Sequence, residues 1–171
     1  TAGIDQSDIE HLAVTNPRSN MGDPLYPGNK NRMLYSAAPQ PLVGSNLALH
    51  VARWFSLFLG VVTLWAVAQT ARLVLPRRMA LLPPLILASI PQFIFISASC
   101  SNDSMVIAVS ALVLWWLARL LTVADERPVH LGEWVVLGVM LGLAALSKLQ
   151  GLGLWLLAAG VGVAIAYRRR D

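Results

Sequence analysis

The sequence predicts an all-α membrane protein, with about five transmembrane helices after a loop-rich, extracytoplasmic N-terminal segment. Three observations lead there. The 171 residues are 56% hydrophobic and only 13% charged, against about 25% charged residues in an ordinary soluble domain. The apolar residues fall into long blocks, and a helix needs a block of about 20 to cross a ~30 Å hydrocarbon core. Finally, the arginines gather at the ends of those blocks, where headgroups anchor them.

Residues 1–46 are polar and punctuated by Asn16-Pro17, Gly22-Asp23-Pro24, Pro27-Gly28-Asn29 and Pro39-Gln40-Pro41, runs that favour turns over regular elements. They predict a loop segment with at most short helices. The transmembrane bundle then occupies 47–171. Its first span is expected over 51–75, interrupted only by Arg53, Gln69 and Arg72. Pro76-Arg77-Arg78 makes a basic turn, and 79–98 forms the second span despite Pro83, Pro84 and Pro91, since neighbouring helices satisfy the carbonyls that prolines free. The polar break Ser99 to Ser104 precedes a third span over 105–123. The apolar run from Leu131 to Tyr167 is too long for one crossing and divides at Lys148-Leu149-Gln150-Gly151 into spans over 131–147 and 151–167. Gly138 and Gly142 form a GxxxG pair, continued by Ala145, that predicts close helix packing.

Alternating the helices places Arg72, Arg77, Arg78, Arg119, Arg127 and Arg168 to Arg170 on one side, eight basic residues in all, against five spread over a longer stretch on the other. The richer side is cytoplasmic by the positive-inside rule. The protein is therefore expected in the plasma membrane, with the N-terminal segment, Asp103 and Lys148 converging on the outer face.

The net charge of +4 does not point to nucleic acid, because no basic patch interleaves with aromatic residues. A lone Cys100 excludes a disulfide framework, and His11, His50 and His130 show no metal-ligand spacing. No phosphate loop, nucleophile elbow or dinucleotide fingerprint is present. The chain opens on Thr1 within a polar stretch, without signal peptide or initiator methionine, and is expected to be part of something longer.

Two residues stand out. Asp103 lies at a membrane boundary, where it caps the helix beginning near Met105, a role shared with Ser101, or serves as a functional carboxylate. Lys148 lies amid apolar sequence and either snorkels to the interface or binds a lipid phosphate there. Asn29, Lys30, Asn31 and Arg32 concentrate amides and cations in a turn suited to sugar hydroxyls or phosphate, as in many solvated loops. His50 and Arg53 sit one helical turn apart at the outer end of the first span, and Asn102 adjoins Asp103.

Three segments carry a resemblance: Gly28 to Leu34 followed by His50 to Ser56; Pro91 to Ser99 running into Ser101-Asn102-Asp103; and Leu137 to Gly151. In order and spacing the chain resembles polyprenyl-phosphate-sugar-dependent membrane glycosyltransferases of the GT-C type, the protein mannosyltransferase-like and aminoarabinose transferase-like proteins. The resemblance implies that residues up to Asn46 end a first extracytoplasmic loop and that the helices are the second to sixth spans of a larger enzyme. It implies a lipid-phosphate sugar donor on the outer face, Asp103 as the acidic residue that assists the reaction, with room for a divalent cation near it, and Lys148 on the donor phosphate. The acidic motif that the family carries just after its first span is not matched, although Asp5, Asp8 and Glu10 lie in that loop. The chain alone is therefore not expected to be active. The competing expectations are a noncatalytic subunit of a membrane complex built on the same fold, and a transporter, which the lack of an internal repeat disfavours.

Overall fold

The computed structural model describes residues 13–15, 33–35 and 44–168. Its elements are β1 (Ala13–Thr15), β2 (Met33–Tyr35), α1 (Gly44–Val74), α2 (Leu82–Ser89), α3 (Pro91–Ala98), α4 (Asn102–Glu126), α5 (Leu131–Ser147) and α6 (Gly153–Arg168). The chain divides into two compact units, Thr1–Ala52 and Arg53–Asp171.

In the first unit, β1 and β2 pair antiparallel with Val14 opposite Leu34. The sequence predicts at most short helices in this segment. Strands of three residues are too short to show the alternation by which a strand is read, and the pairing joins positions far apart in the chain.

The second unit is helical, and the protein is an all-α membrane protein. Among the described residues three helices are long and apolar enough to cross a bilayer: Leu47–Val74, Asn102–Glu126 and Leu149–Arg168. The helix pair Arg77–Ser89 and Pro91–Ala98 is bent by 70°, and Leu131–Ser147 is a shorter apolar helix. The bend has a local cause. Pro91 opens α3 at its first position, and Ile90 before it is extended at φ −76°, ψ 116°, the conformation that a following proline imposes. Proline thus breaks the run that hydropathy alone joins into one straight span.

The core lies among α4, α5 and α6. Val109, Val113, Leu117 and Leu120 of α4 meet Leu137, Leu141 and Ala144 of α5 and Ala158 and Ile165 of α6, with the α4 and α5 sets at the three- and four-residue spacing of one helix face. Ion pairs mark the directions of these helices. Arg168 Nη1 lies 3.1 Å from Asp125 Oδ1, joining the C-terminal ends of α4 and α6, whereas Lys148 reaches back to Asp103 at the start of α4. Between α4 and α5, the Arg127 guanidinium holds both Glu133 oxygens at 2.9 and 3.1 Å, and Trp116 Nε1 donates to the Glu133 carbonyl at 3.1 Å.

α1 and α3 approach closely at Gly60, where an added Cβ would lie 2.8 Å from Ser97 Oγ. Gly138 and Gly142 behave differently: a Cβ on either meets nothing within 4 Å. The GxxxG contact that the sequence predicts is therefore not made among the described residues. α5 buries Leu137, Leu141 and Ala144 instead, because the larger side chains, one position away, fill the groove against α4 and turn the glycines outward. Much of the remaining surface is apolar, with Leu146 86% and Leu156 81% exposed. A surface of this kind is solvated by lipid chains.

Candidate functional site

The site is built where two helix ends meet. α5 stops at Ser147, and Lys148 is extended at φ −162°, ψ 143°, ahead of a short 3-10 turn over Leu149–Leu152. That turn folds tightly onto the helix it leaves. Gly151 N–H donates to the Lys148 carbonyl at 2.8 Å, and a Cβ at Gly151 would run into the Ala144 carbonyl. Only glycine lets the chain reverse so close to α5.

Opposite it, α4 begins earlier than its apolar stretch. Ser101 is the N-cap, its Oγ accepting from Asp103 N–H at 3.2 Å, so Asp103 lies in the first helical turn and the cap is Ser101 alone. Ser104 ties this turn to α3 by donating to the Ile96 carbonyl at 3.0 Å. With capping assigned to Ser101, the Asp103 carboxylate turns to another partner. Lys148 Nζ donates to Asp103 Oδ1 at 2.7 Å, and each side chain is 43% exposed. A half-exposed pair of this kind contributes at most about 1 kcal/mol to stability.

Chain neighbours of the pair line two open cavities. One of about 340 Å³ is lined by Asn102, Met105, Leu143, Leu146 and Ser147. The other, an open groove of about 380 Å³, is lined by Gln150, Gly151, Val106, Ile107, Ser110, Thr63 and Leu87 among others. Its walls are mostly apolar, and its polar groups are few. Thr63 is 2% exposed and donates to its own helix at the Leu59 carbonyl, 2.9 Å away.

The structure thus brings Asp103 and Lys148 together and sets Asn102 beside them. Arg53 is exposed on α1 and makes no ion pair among the described residues; His50 is partly buried on the same helix. Asn29, Lys30, Asn31 and Arg32 lie outside the described residues. Among the described residues no three His, Cys, Asp or Glu side chains come together to hold a metal ion, and Asp103 Oδ1 is already held by an ammonium. These residues do not form a ligand set for a divalent cation.

Residues 42–170 match the profile of the dolichyl-phosphate-mannose-protein mannosyltransferases. The chain belongs to this family. It is accordingly a membrane glycosyltransferase family member of the GT-C type, for which a lipid-linked sugar donor and a multi-pass membrane setting follow. No curated protein and no solved structure matches it. The matched span contains Asp103, Lys148 and both cavities of this mannosyltransferase-family chain. Sequence reasoning passes over Gln150, Thr63 and Ser110 as lining groups, although an isolated polar residue within an apolar run is the signal that points to them.

Proposed function

We propose that this mannosyltransferase-family chain forms the donor side of a sugar transferase, taking a sugar from a polyprenyl phosphate to an acceptor on the outer face of the plasma membrane. The observation that carries this reading is the Asp103–Lys148 pair, a weakly stabilising ion pair whose near neighbours in the chain, Val106 and Gln150, line an apolar groove. The groove is suited to the polyprenyl chain and Lys148 to its phosphate, because the ammonium offers three donors at the level where a lipid phosphate lies. As the bond between the anomeric carbon and the phosphate oxygen breaks, the departing phosphate takes the electron pair. Lys148 stabilises that growing charge. Asp103 keeps the ammonium in place through Oδ1. Its Oδ2 is left to take the proton of the acceptor hydroxyl whose oxygen bonds to the anomeric carbon. Asn102 and Arg53 are proposed to contact the sugar or the acceptor, and the same role is proposed for His50 and for Asn29, Lys30, Asn31 and Arg32.

Asp103→Asn tests the role of the carboxylate. In the protein as it occurs in its membrane, the variant is expected to lose transfer by at least about a hundredfold while folding normally, since Ser101 still caps α4. Unaltered transfer would remove Asp103 from the chemistry. Sidedness has its own readout in the native thiol, because Cys100 is free and exposed and stands immediately before the Ser101 cap of the turn that carries Asp103. A membrane-impermeant maleimide is expected to label Cys100 from outside intact cells. Labelling only after the membrane is opened would reverse the topology.

A further inference from the structure

At the end of α4 away from Asp103, two described carboxylates are already engaged. Asp125 pairs with Arg168, and Glu133 with Arg127 and more distantly with Arg119 at 3.7 Å; Glu126 is exposed next to Arg127 in the chain. Arg72, Arg77 and Arg78 are exposed, and none of them has a carboxylate partner among the described residues. Among the described residues Arg72 touches Gln69 Oε1, at 3.4 Å. Two of these arginines, Arg72 and Arg77, line a cavity of about 520 Å³ with Ala80 and Leu81.

A second cavity, apolar and of about 380 Å³, is walled by Val67, Ala71, Val74, Leu75, Pro83 and Leu114. The last turn of α1 contributes to both, Arg72 to the first and Ala71 and Val74 to the second. A cationic head pocket and an apolar groove that share a helix end have the outline of an anionic phospholipid. We infer that this end of the chain holds one such lipid, its phosphate between Arg72 and Arg77 and an acyl chain against Val74, Leu75 and Pro83. Charge complementarity selects the headgroup, since guanidinium forks match phosphate oxygens and no described carboxylate is paired with them. The groove distinguishes the site from the general attraction of basic residues to an anionic leaflet. The inference rests on the membrane fold and is independent of the donor reading, because it uses different cations and its test reads lipid retention in place of sugar transfer.

Lipid retention by the full chain, purified in detergent and supplied with mixed phosphatidylglycerol and phosphatidylcholine, tests it by native mass spectrometry. One phosphatidylglycerol is expected to be retained in preference to phosphatidylcholine. The R72Q/R77Q variant is expected to bind it roughly thirtyfold more weakly, Arg168→Gln to bind it as the wild type does, and Val74→Trp, which fills the groove from an exposed position, to weaken it with every arginine in place. Equal losses in R72Q/R77Q and Arg168→Gln would reduce the effect to net charge and overturn the site. Displacement by millimolar inorganic phosphate would overturn the lipid in favour of a free anion, and unchanged retention by Val74→Trp would remove the groove.

Discussion

Replacing Lys148 by methionine is expected to weaken binding of a polyprenyl-phosphate sugar by more than about tenfold, because a charge-assisted hydrogen bond to phosphate is worth about 1.5–3 kcal/mol. The helices should persist. Both members of the Asp103–Lys148 pair are 43% exposed, so the lost pair costs the fold at most about 1 kcal/mol. Lys148→Arg keeps the charge and should retain most of the binding, at the expense of geometry. Asp103→Ala provides a contrast of opposite sign. It releases the ammonium from its carboxylate and is expected to tighten donor binding while slowing transfer. If Lys148→Met binds the donor as the wild type does, Lys148 is a snorkelling residue whose partner is Asp103 and nothing else.

Gly151→Val is expected to cost the fold about 3 kcal/mol or more, at the upper end of what overpacking costs. The clash is with the Ala144 carbonyl, and a backbone atom cannot rotate out of the way as a side-chain tip can. The 3-10 turn would have to lift from α5, taking Gln150 out of the groove and Lys148 away from Asp103. Gly138→Ala is the control: with nothing within 4 Å of its new methyl, it should be neutral or stabilise by about 0.5–1 kcal/mol. Thermal unfolding of the purified protein in detergent measures both. Equal midpoints for Gly151→Val and the wild type would show that the turn does not pack as described.

The membrane character of the fold is legible in the sequence because it depends on one-dimensional quantities, the length of an apolar run and what interrupts it. Lys148 and the nearby Gly151 divide the run from Leu131 to Tyr167 in this way. Which face of a helix is buried is not a one-dimensional quantity. Gly138 and Gly142 have the spacing of a packing motif, yet Leu137 and Leu141 beside them have the same spacing and more area to bury, and they join the core against α4. Asp103 shows a similar limit. Its position before an apolar run suits a cap, but α4 begins at Asn102, about one turn earlier than hydropathy alone suggests, and Ser101 takes that role. The site itself is partly legible, since Asp103 and Lys148 are each conspicuous as charges at apolar boundaries. That one carboxylate oxygen meets the ammonium across 45 positions follows from how α4 and α5 pack.

The shortness of α5 has a consequence for the membrane itself. α5 has 17 residues, about 26 Å at 1.5 Å per residue, less than the ~30 Å of an average hydrocarbon core, whereas the run that follows it, Leu149–Arg168, has the length to cross. A bilayer meeting so short an apolar surface compresses to match it, at fractions of a kcal/mol per ångström. Such compression is expected around α5, at whose end Lys148 stands. Under the donor role proposed for Lys148, a leaflet drawn inward there would let a lipid phosphate diffusing along the bilayer meet the ammonium within its own layer.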